Sequence, residues 1–352
     1  MAGRKHHYLP RFLQRPFAYQ QRGKHFYVYA HHRAHGTYGT NVMELGQELD
    51  FYGGPEDTSL DDAMTKAERE LSITVNRLNA QEPIEPEACA RLICALSFRT
   101  KGMRNALIET FPVILEIVRE RLFDGRELYA ELDKSMHDPA TRRRLIYERL
   151  RKENPHFSRE QQAQLYSKML PKWKALVAQH QQNFVDQTHT VIDQLMTKVE
   201  QEAETLANRA FLGALSRVPA TTPRIMRMVE EMKFMVWEAT DVERFILGDC
   251  GPIALFTDGQ PRLALGSIED ETHACAVFLP ISPTRCIVGQ EAGFTHTLSV
   301  ADLNQISASL SHEFFVSSMP DDDALTELRS SIGSRVPIVS DDDMRRMLRE
   351  TD

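Results

Sequence analysis

The segment 5–15 combines histidine, cations and aromatic rings at close spacing. His7 lies four residues before Arg11 and eight before Arg15, and two aromatic residues stand between them. Arginine binds phosphate, aromatic rings stack on exposed bases, and a histidine can move a proton near neutral pH. The pattern predicts a site that binds phosphate or cleaves nucleic acid. The alternative is a solubilising arm whose rings pack into a sheet.

The charge distribution favours an anionic partner for this segment. The first 43 residues contain seven Lys or Arg, six of the chain's thirteen His, and no Asp or Glu. The whole chain has a net charge of −8, so the remainder is strongly acidic. A basic start on an acidic chain is typical of proteins that bind an anion.

Two acids and one further cation could complete the site. Asp249, at a predicted strand-to-turn junction, could orient His7 or bind a metal, or it could bond the amides of its own turn. Arg99 ends an apolar helix, where a cation suits the helix dipole, or it reaches into a shared site with Glu68 or Asp249 as a bidentate partner. The candidate catalytic residues are His7, Asp249 and Glu68, and the candidate phosphate-binding residues are Arg11, Arg15 and Arg99.

No metal or cofactor is predicted from the motifs. His31, His32 and His35 could converge on a divalent ion, but no carboxylate lies within eight residues of them, and a metal site usually has more ligands. They also fit a polar strand end. The chain has no Walker, dinucleotide-binding, nucleophile-elbow or zincin motif, which argues against those enzyme classes. The cofactor is left open.

Composition favours a cytoplasmic protein without a membrane span. No apolar run approaches twenty residues, and the N-terminus is polar and basic rather than signal-like. The five cysteines are odd in number and widely spaced. That pattern predicts free thiols in a reducing compartment.

Four zones follow from periodicity and composition. We predict an N-terminal strand and loop segment at 1–56, a helical region at 57–236 with a long helix at 158–216, a sheet with a closing helix at 237–320, and an acidic tail at 321–352. The run 25–31 is aromatic and β-branched and predicts a strand, whereas 36–54 is rich in glycine and is predicted to be loop. The tail is expected to contain a short helix beginning near Asp341.

Strands at both ends with helices between them indicate an α+β fold. We expect a small, mainly antiparallel sheet formed by N-terminal and late strands, interrupted by a large helical insertion. Within the insertion, apolar residues recur at steps of three and four over 165–210, as in a coiled-coil seam. A second copy of the chain could pack there and form a homodimer.

Short motifs in a fixed order resemble the DUF4238 family, a family of domains of unknown function found in bacterial proteins. The motifs are His7-Tyr8-Leu9-Pro10-Arg11 with Phe17-Ala18, Tyr27-Val28-Tyr29, Asp50-Phe51-Tyr52, Ala95-Leu96-Ser97-Phe98-Arg99-Thr100, Phe245-Ile246-Leu247-Gly248-Asp249, Leu279-Pro280-Ile281-Ser282-Pro283, Asn304 and Phe314-Phe315-Val316. The resemblance implies the order of the fold. It points to four of the candidate site residues, His7, Arg15, Arg99 and Asp249, and implies no activity.

Three functional hypotheses follow. The first is a bacterial cytoplasmic protein that binds or cleaves nucleic acid, for example a nuclease or phosphodiesterase acting as a toxin or defence effector. The second is a non-catalytic interaction or oligomerisation module built on the 165–210 seam. The third is a small-molecule enzyme with a pocket in the late sheet.

Overall fold

The structure is a computed structural model, and the residues it describes are 5–53, 59–123, 130, 133–216, 223–264 and 273–335. Within these ranges the chain divides into two compact units. One runs to Glu109 and resumes at Leu206, and the other covers Thr110–Thr205.

The strands all belong to the first unit. They are β1 (Lys5–His7), β2 (Gln20–Arg22), β3 (His25–His32), β4 (Gly36–Asn41), β5 (Gln47–Leu49), β6 (Met232–Glu238), β7 (Leu247–Gly248), β8 (Ile253–Phe256), β9 (Pro261–Leu263), β10 (Ala274–Ser282), β11 (Arg285–Glu291) and β12 (Phe314–Ser317).

Most of the α-helices lie in one run between β5 and β6. They are α1 (Arg11–Gln14), α2 (Ser59–Asn79), α3 (Pro86–Ser97), α4 (Lys101–Phe123), α5 (Pro139–Glu153), α6 (Arg159–Met169), α7 (Trp173–Gln201), α8 (Ala203–Leu215), α9 (Pro223–Glu231), α10 (Val300–Leu310) and α11 (Asp323–Ser330). Single 3-10 turns lie at Arg15–Phe17 and Leu170–Lys172.

One sheet joins the two ends of the chain, as predicted. In this N-terminal sheet the strand order is β2-β3-β12-β7, and β4 pairs with the other edge of β3. The β3–β12 pair is antiparallel, with Phe315 opposite His31. The aromatic and β-branched residues of β3 suit a half-buried strand. The predicted α+β fold with helices inserted between N-terminal and late strands is confirmed.

A second sheet consists of late strands alone. Its order is β6-β11-β10-β8-β9, and each neighbouring pair is antiparallel. β1 and β5 form a separate two-stranded ribbon. The described chain therefore has two five-stranded sheets and a ribbon, where one small sheet was predicted.

The prediction of a loop over 36–54 is wrong, because this stretch contains β4 and β5. Its glycines mark turns and close approaches instead: Gly36 and Gly46 have positive φ angles of 72° and 67°. Thr37 and Thr40 lie between them on β4, which pairs with β3 along six residues. A neighbouring strand thus overrides the turn-like composition.

The main core of the first unit lies between helices α2 and α3 and residues of both five-stranded sheets. The α2 face that carries Met64, Leu71, Val75 and Leu78 is buried, as the helical period predicts. From Cys89 onward, α3 is buried almost all round. These helices pack with Val28 and Phe314 of the N-terminal sheet into one hydrophobic cluster.

The helix predicted over 158–216 is divided in the structure. The Ser158–Gln161 capping box begins α6. The helix ends at Met169, where the 3-10 turn contains Pro171. Proline lacks the amide that an α-helix needs there.

The seam predicted over 165–210 is only partly buried within the chain. Val191 and Leu195 of the predicted seam are 54% and 56% exposed, whereas the buried Val177 and Met196 of α7 each lie one position after a seam residue. Dimerisation along this seam stays a prediction, as do the zone boundaries.

The cysteines, the helices and the C-terminal tail can also be compared with the predictions from sequence. All five cysteines are free, as predicted, and all five are buried. Among the described helices, none is both long and apolar enough to cross a membrane. The helix expected from Asp341 lies outside the described residues, and α11 was not predicted. Its N-cap is Asp322, whose side chain accepts a hydrogen bond from the amide of Leu325.

We predict that Gly248→Ala destabilises the first unit by about 1–3 kcal/mol. A Cβ at Gly248 would lie 2.5 Å from Ser311 Oγ and 2.7 Å from Ser307 Oγ, so buried side chains must shift. The matched control is Gly213→Ala in α8, where a Cβ meets nothing within 4 Å and helix propensity favours alanine. Urea unfolding of both variants measures the difference. Equal stability of the two would contradict the packing described.

Candidate functional site

The β1–β5 ribbon positions the predicted histidine. His7 pairs with Gln47 at the end of β1. The chain then turns into α1, and the buried Gln14 amide donates to the carbonyls of Leu9 and Leu45 at 2.7 and 3.2 Å. His6 Nδ1 accepts the Tyr52 amide at 3.0 Å. His7 therefore lies on backbone that is anchored from both sides.

Three donors converge on the backbone carbonyl of His7. Arg99 donates from Nε at 3.1 Å and from Nη2 at 2.6 Å, and the Tyr52 hydroxyl donates at 2.9 Å. The Arg99 guanidinium also lies over the Tyr52 ring, 5.2 Å from its centroid. We call this contact the Arg99–His7 joint. It connects the end of α3 to β1.

The charge of Arg99 is balanced by a predicted site residue. Nη2 of Arg99 forms an ion pair with Glu68 of α2, and Arg99 is only 2% exposed. A buried charge needs such a partner, because removing one member of the pair leaves the other desolvated and alone. Arg99 therefore reaches Glu68, one of the two expected carboxylates, but through one nitrogen and not as a bidentate pair.

The imidazole of His7 lies among charged neighbours. Burial, and after it the positive charge of Arg11, lowers the pKa of His7 to about 4. Its Nε2 atom is buried and has no hydrogen-bond partner among the described residues. At pH 7 the imidazole ring is therefore neutral and carries a single N–H proton. A base with this pKa is weak at neutral pH.

Asp249 is used in a different contact. It follows β7, is 1% exposed, and accepts the amides of His312 at 2.7 Å, Glu313 at 2.9 Å and Phe314 at 3.3 Å. Burial raises its pKa to about 7, against the opposing effect of these three hydrogen bonds. The carboxylate thus fixes the turn that leads into β12. The expected alternative was the amides of its own turn, whereas these amides lie 63 to 65 residues further along the chain.

Four of the six predicted site residues therefore come together, and two lie elsewhere. His7, Arg11, Glu68 and Arg99 form one cluster. Asp249 bonds to the turn before β12. The exposed Arg15 lies over the Phe26 ring, 5.4 Å from its centroid.

A second charged cluster was not predicted from the sequence. Lys101 Nζ lies 2.8 Å from Glu313 and 3.5 Å from Glu48, and Arg104 pairs with Glu48 as well. Tyr8 donates to Glu313 at 3.3 Å. These partners are up to 305 residues apart, so no local spacing could reveal them.

A buried histidine network was also missed. His31 is fully buried, its Nε2 lies 2.9 Å from Ser317 Oγ, and its Nδ1 lies 3.5 Å from Asp321 Oδ1. The order of groups resembles a Ser-His-Asp triad. However, Ser317 is 4% exposed and its hydroxyl donates to the Met319 carbonyl at 2.6 Å. The hydroxyl proton is thus engaged away from the histidine, and the network joins β3 to β12.

The described residues hold no group of three or more His, Cys, Asp or Glu side chains suited to a metal ion. The rings of His32 and His35 do come close, with centroids 4.4 Å apart. The His31 ring instead contacts Ser317 and Asp321. The three histidines therefore do not converge.

Comparison with known proteins found one family. The family described as "Protein of unknown function (DUF4238)" matches residues 5–314, which confirms the resemblance based on motifs. No curated protein and no solved structure matches the chain.

We predict that Asp249→Asn lowers the free energy of unfolding by about 2–3 kcal/mol, because an amide nitrogen would then face a backbone N–H donor. The matched control is Asp258→Asn. Asp258 also accepts a turn amide, from Gln260 at 2.9 Å, but it lies at the surface beside Arg262, so the loss should stay below about 1 kcal/mol. Chemical denaturation compares the two, and equal losses would refute the structural role of Asp249.

We predict that His7 makes the fold acid-sensitive. Its pKa is about 4 in the folded protein and 6.5 as the ordinary value, so the unfolded chain binds a proton that the folded chain does not. Stability then falls as the pH drops from about 6.5 towards 4, by at most about 3 kcal/mol. His7→Gln should flatten this dependence in urea unfolding between pH 7.5 and 4.5. Other titrating groups cancel in the comparison, so an unchanged slope would contradict the assignment.

Proposed function

Because this chain belongs to the DUF4238 family, whose function is unknown, we propose a function from its own geometry: it binds nucleic acid through the cations around the β2–β3 hairpin. Arg15, Arg22 and Lys24 are all exposed there. None of them forms an ion pair with any residue that the structure describes. This observation carries the proposal.

Charge separation supports an anionic ligand. The unpaired cations belong to the stretch of 43 residues without Asp or Glu, on a chain whose net charge is −8. The acidic remainder repels a polyanion, and the hairpin attracts it. Such asymmetry steers a charged ligand to one part of a surface.

The aromatic neighbours of these cations support nucleic acid over a simple anion. Arg22 lies over Tyr27, 5.7 Å from the ring centroid, and Arg15 lies over Phe26 at 5.4 Å. Arg22 and Tyr27 present a phosphate-binding group next to a half-buried ring, whereas the Phe26 ring beneath Arg15 packs against the main core. Proteins that bind nucleic acid combine these two chemical groups.

The proposal is limited to binding. Three of the residues predicted for catalysis or phosphate binding make other contacts, since Arg99 and Glu68 pair with each other and Asp249 bonds three amides. Neutral His7 is a weak base at pH 7. Cleavage of the bound strand has less support than binding.

We predict that affinity for nucleic acid falls with salt at a log–log slope of about −2 to −3, as expected for three neutralised phosphates. Fluorescence anisotropy with labelled oligonucleotides measures this slope. The triple variant Arg15→Gln, Arg22→Gln, Lys24→Gln should lose most of the affinity and most of the slope.

A control with the same change in charge separates local binding from net charge. Arg159, Lys168 and Lys174 are exposed cations of the second unit, and their triple Gln variant should bind like the wild type. Binding that is absent, that ignores salt, or that falls equally in both triple variants would overturn the proposal.

A further inference from the structure

The two faces of the N-terminal sheet differ in what they pack against. Successive residues of a strand point to opposite faces. Phe26, Val28 and Ala30 of β3 pack in or against the main core. Tyr27 and Tyr29 therefore lie on the opposite side, which we call the outer face.

One end of the outer face is covered by protein. There the His31 ring stacks on Phe315 with centroids 4.6 Å apart. Phe315 in turn packs with Leu325 and Leu328 of α11. Any ligand on the outer face must therefore lie towards the β2–β3 hairpin.

The other end carries aromatic rings, and we call it the open end; it comprises Tyr19, Arg22, Tyr27 and Tyr29. Tyr19 is 41% exposed, and its ring stacks on Tyr29 with centroids 4.2 Å apart and an interplanar angle of 22°. Tyr27 and Tyr29 are half-buried and belong to none of the described hydrophobic clusters. These rings therefore form a surface rather than a core.

A glycine on β4 makes room for this arrangement. Gly39 lies opposite Tyr29 in the sheet, and a Cβ there would be 2.8 Å from the Tyr19 hydroxyl oxygen. Any other residue at this position would displace the Tyr19 ring. The space that Gly39 leaves thus allows the Tyr19 ring to stack on Tyr29.

We infer that the open end binds the unpaired bases of single-stranded nucleic acid, an inference that rests on the proposed nucleic-acid binding. Exposed bases stack on aromatic side chains, and a β-sheet surface is a frequent platform for such stacking. Arg22 over Tyr27 supplies a cation for the adjoining phosphate. In a duplex the bases already stack on one another, so no base is available to stack on the tyrosine rings.

Direct binding measurements test this inference. The protein is titrated into labelled 12-nucleotide RNA and DNA strands, and into a duplex of the same sequence, at one salt concentration. The wild type should bind both single strands at least tenfold more tightly than the duplex. Tyr19→Ala should weaken single-strand binding about tenfold, and Tyr19→Phe, which keeps the ring, should restore it to within about twofold.

The control variant lies on the opposite face of the same sheet. Tyr38 is 37% exposed and lies opposite Ala30, so Tyr38→Ala should leave binding unchanged. Gly39→Ala provides a second variant that displaces the Tyr19 ring without removing it, and it should weaken binding as Tyr19→Ala does. Circular dichroism verifies that each variant is folded.

The outcomes separate the two levels of the proposal. Equal binding of duplex and single strand, or no effect of Tyr19→Ala and Gly39→Ala, would overturn the stacking inference. If the triple cation variant still loses affinity in that case, nucleic-acid binding itself stands. If no oligonucleotide binds, both fall.

Discussion

The first unit depends on the Arg99–His7 joint. The Arg99 guanidinium is almost wholly buried, and Glu68 supplies the opposite charge while one backbone carbonyl accepts hydrogen bonds from Nε and Nη2. Nη1 has no hydrogen-bond partner among the described residues. Because the carbonyl belongs to β1, the end of α3 and the N-terminal segment are held together by a single charged group. Its loss would leave Glu68 partly buried without its counter-charge.

Other buried polar groups in the first unit have the same architectural use. Asp249 fixes the turn before β12 through three amides, and His31 connects β3 to Ser317. In each case a polar side chain joins segments far apart in sequence. Residue types that could serve catalysis are thus used to hold the first unit together, and the proposed nucleic-acid binding rests instead on the cations and rings of the hairpin.

Local sequence patterns predicted the secondary-structure elements, whereas contacts between residues far apart in sequence determine the arrangement of the candidate site. The aromatic run 25–31 became β3, and its pairing with a late strand was expected from the order of elements. The pairing of Arg99 with Glu68 was one of two alternatives. The amides bonded by Asp249 could not be predicted, since they lie 63 or more residues away. Nor could the stacking of Tyr19 on Tyr29, which depends on the space that Gly39 leaves.

The pairing of β3 with β12 has a consequence for synthesis on the ribosome. β2 and β4 are made within a few residues of β3 and can pair with it at once, but the partner of Tyr29–His32 follows about 285 residues later. At ordinary translation rates this takes roughly 15–60 s. For that time the nascent chain carries an unpaired strand edge, the feature through which chains aggregate. The polar pair His31 and His32 lies on this edge and makes it a poorer template for other strands.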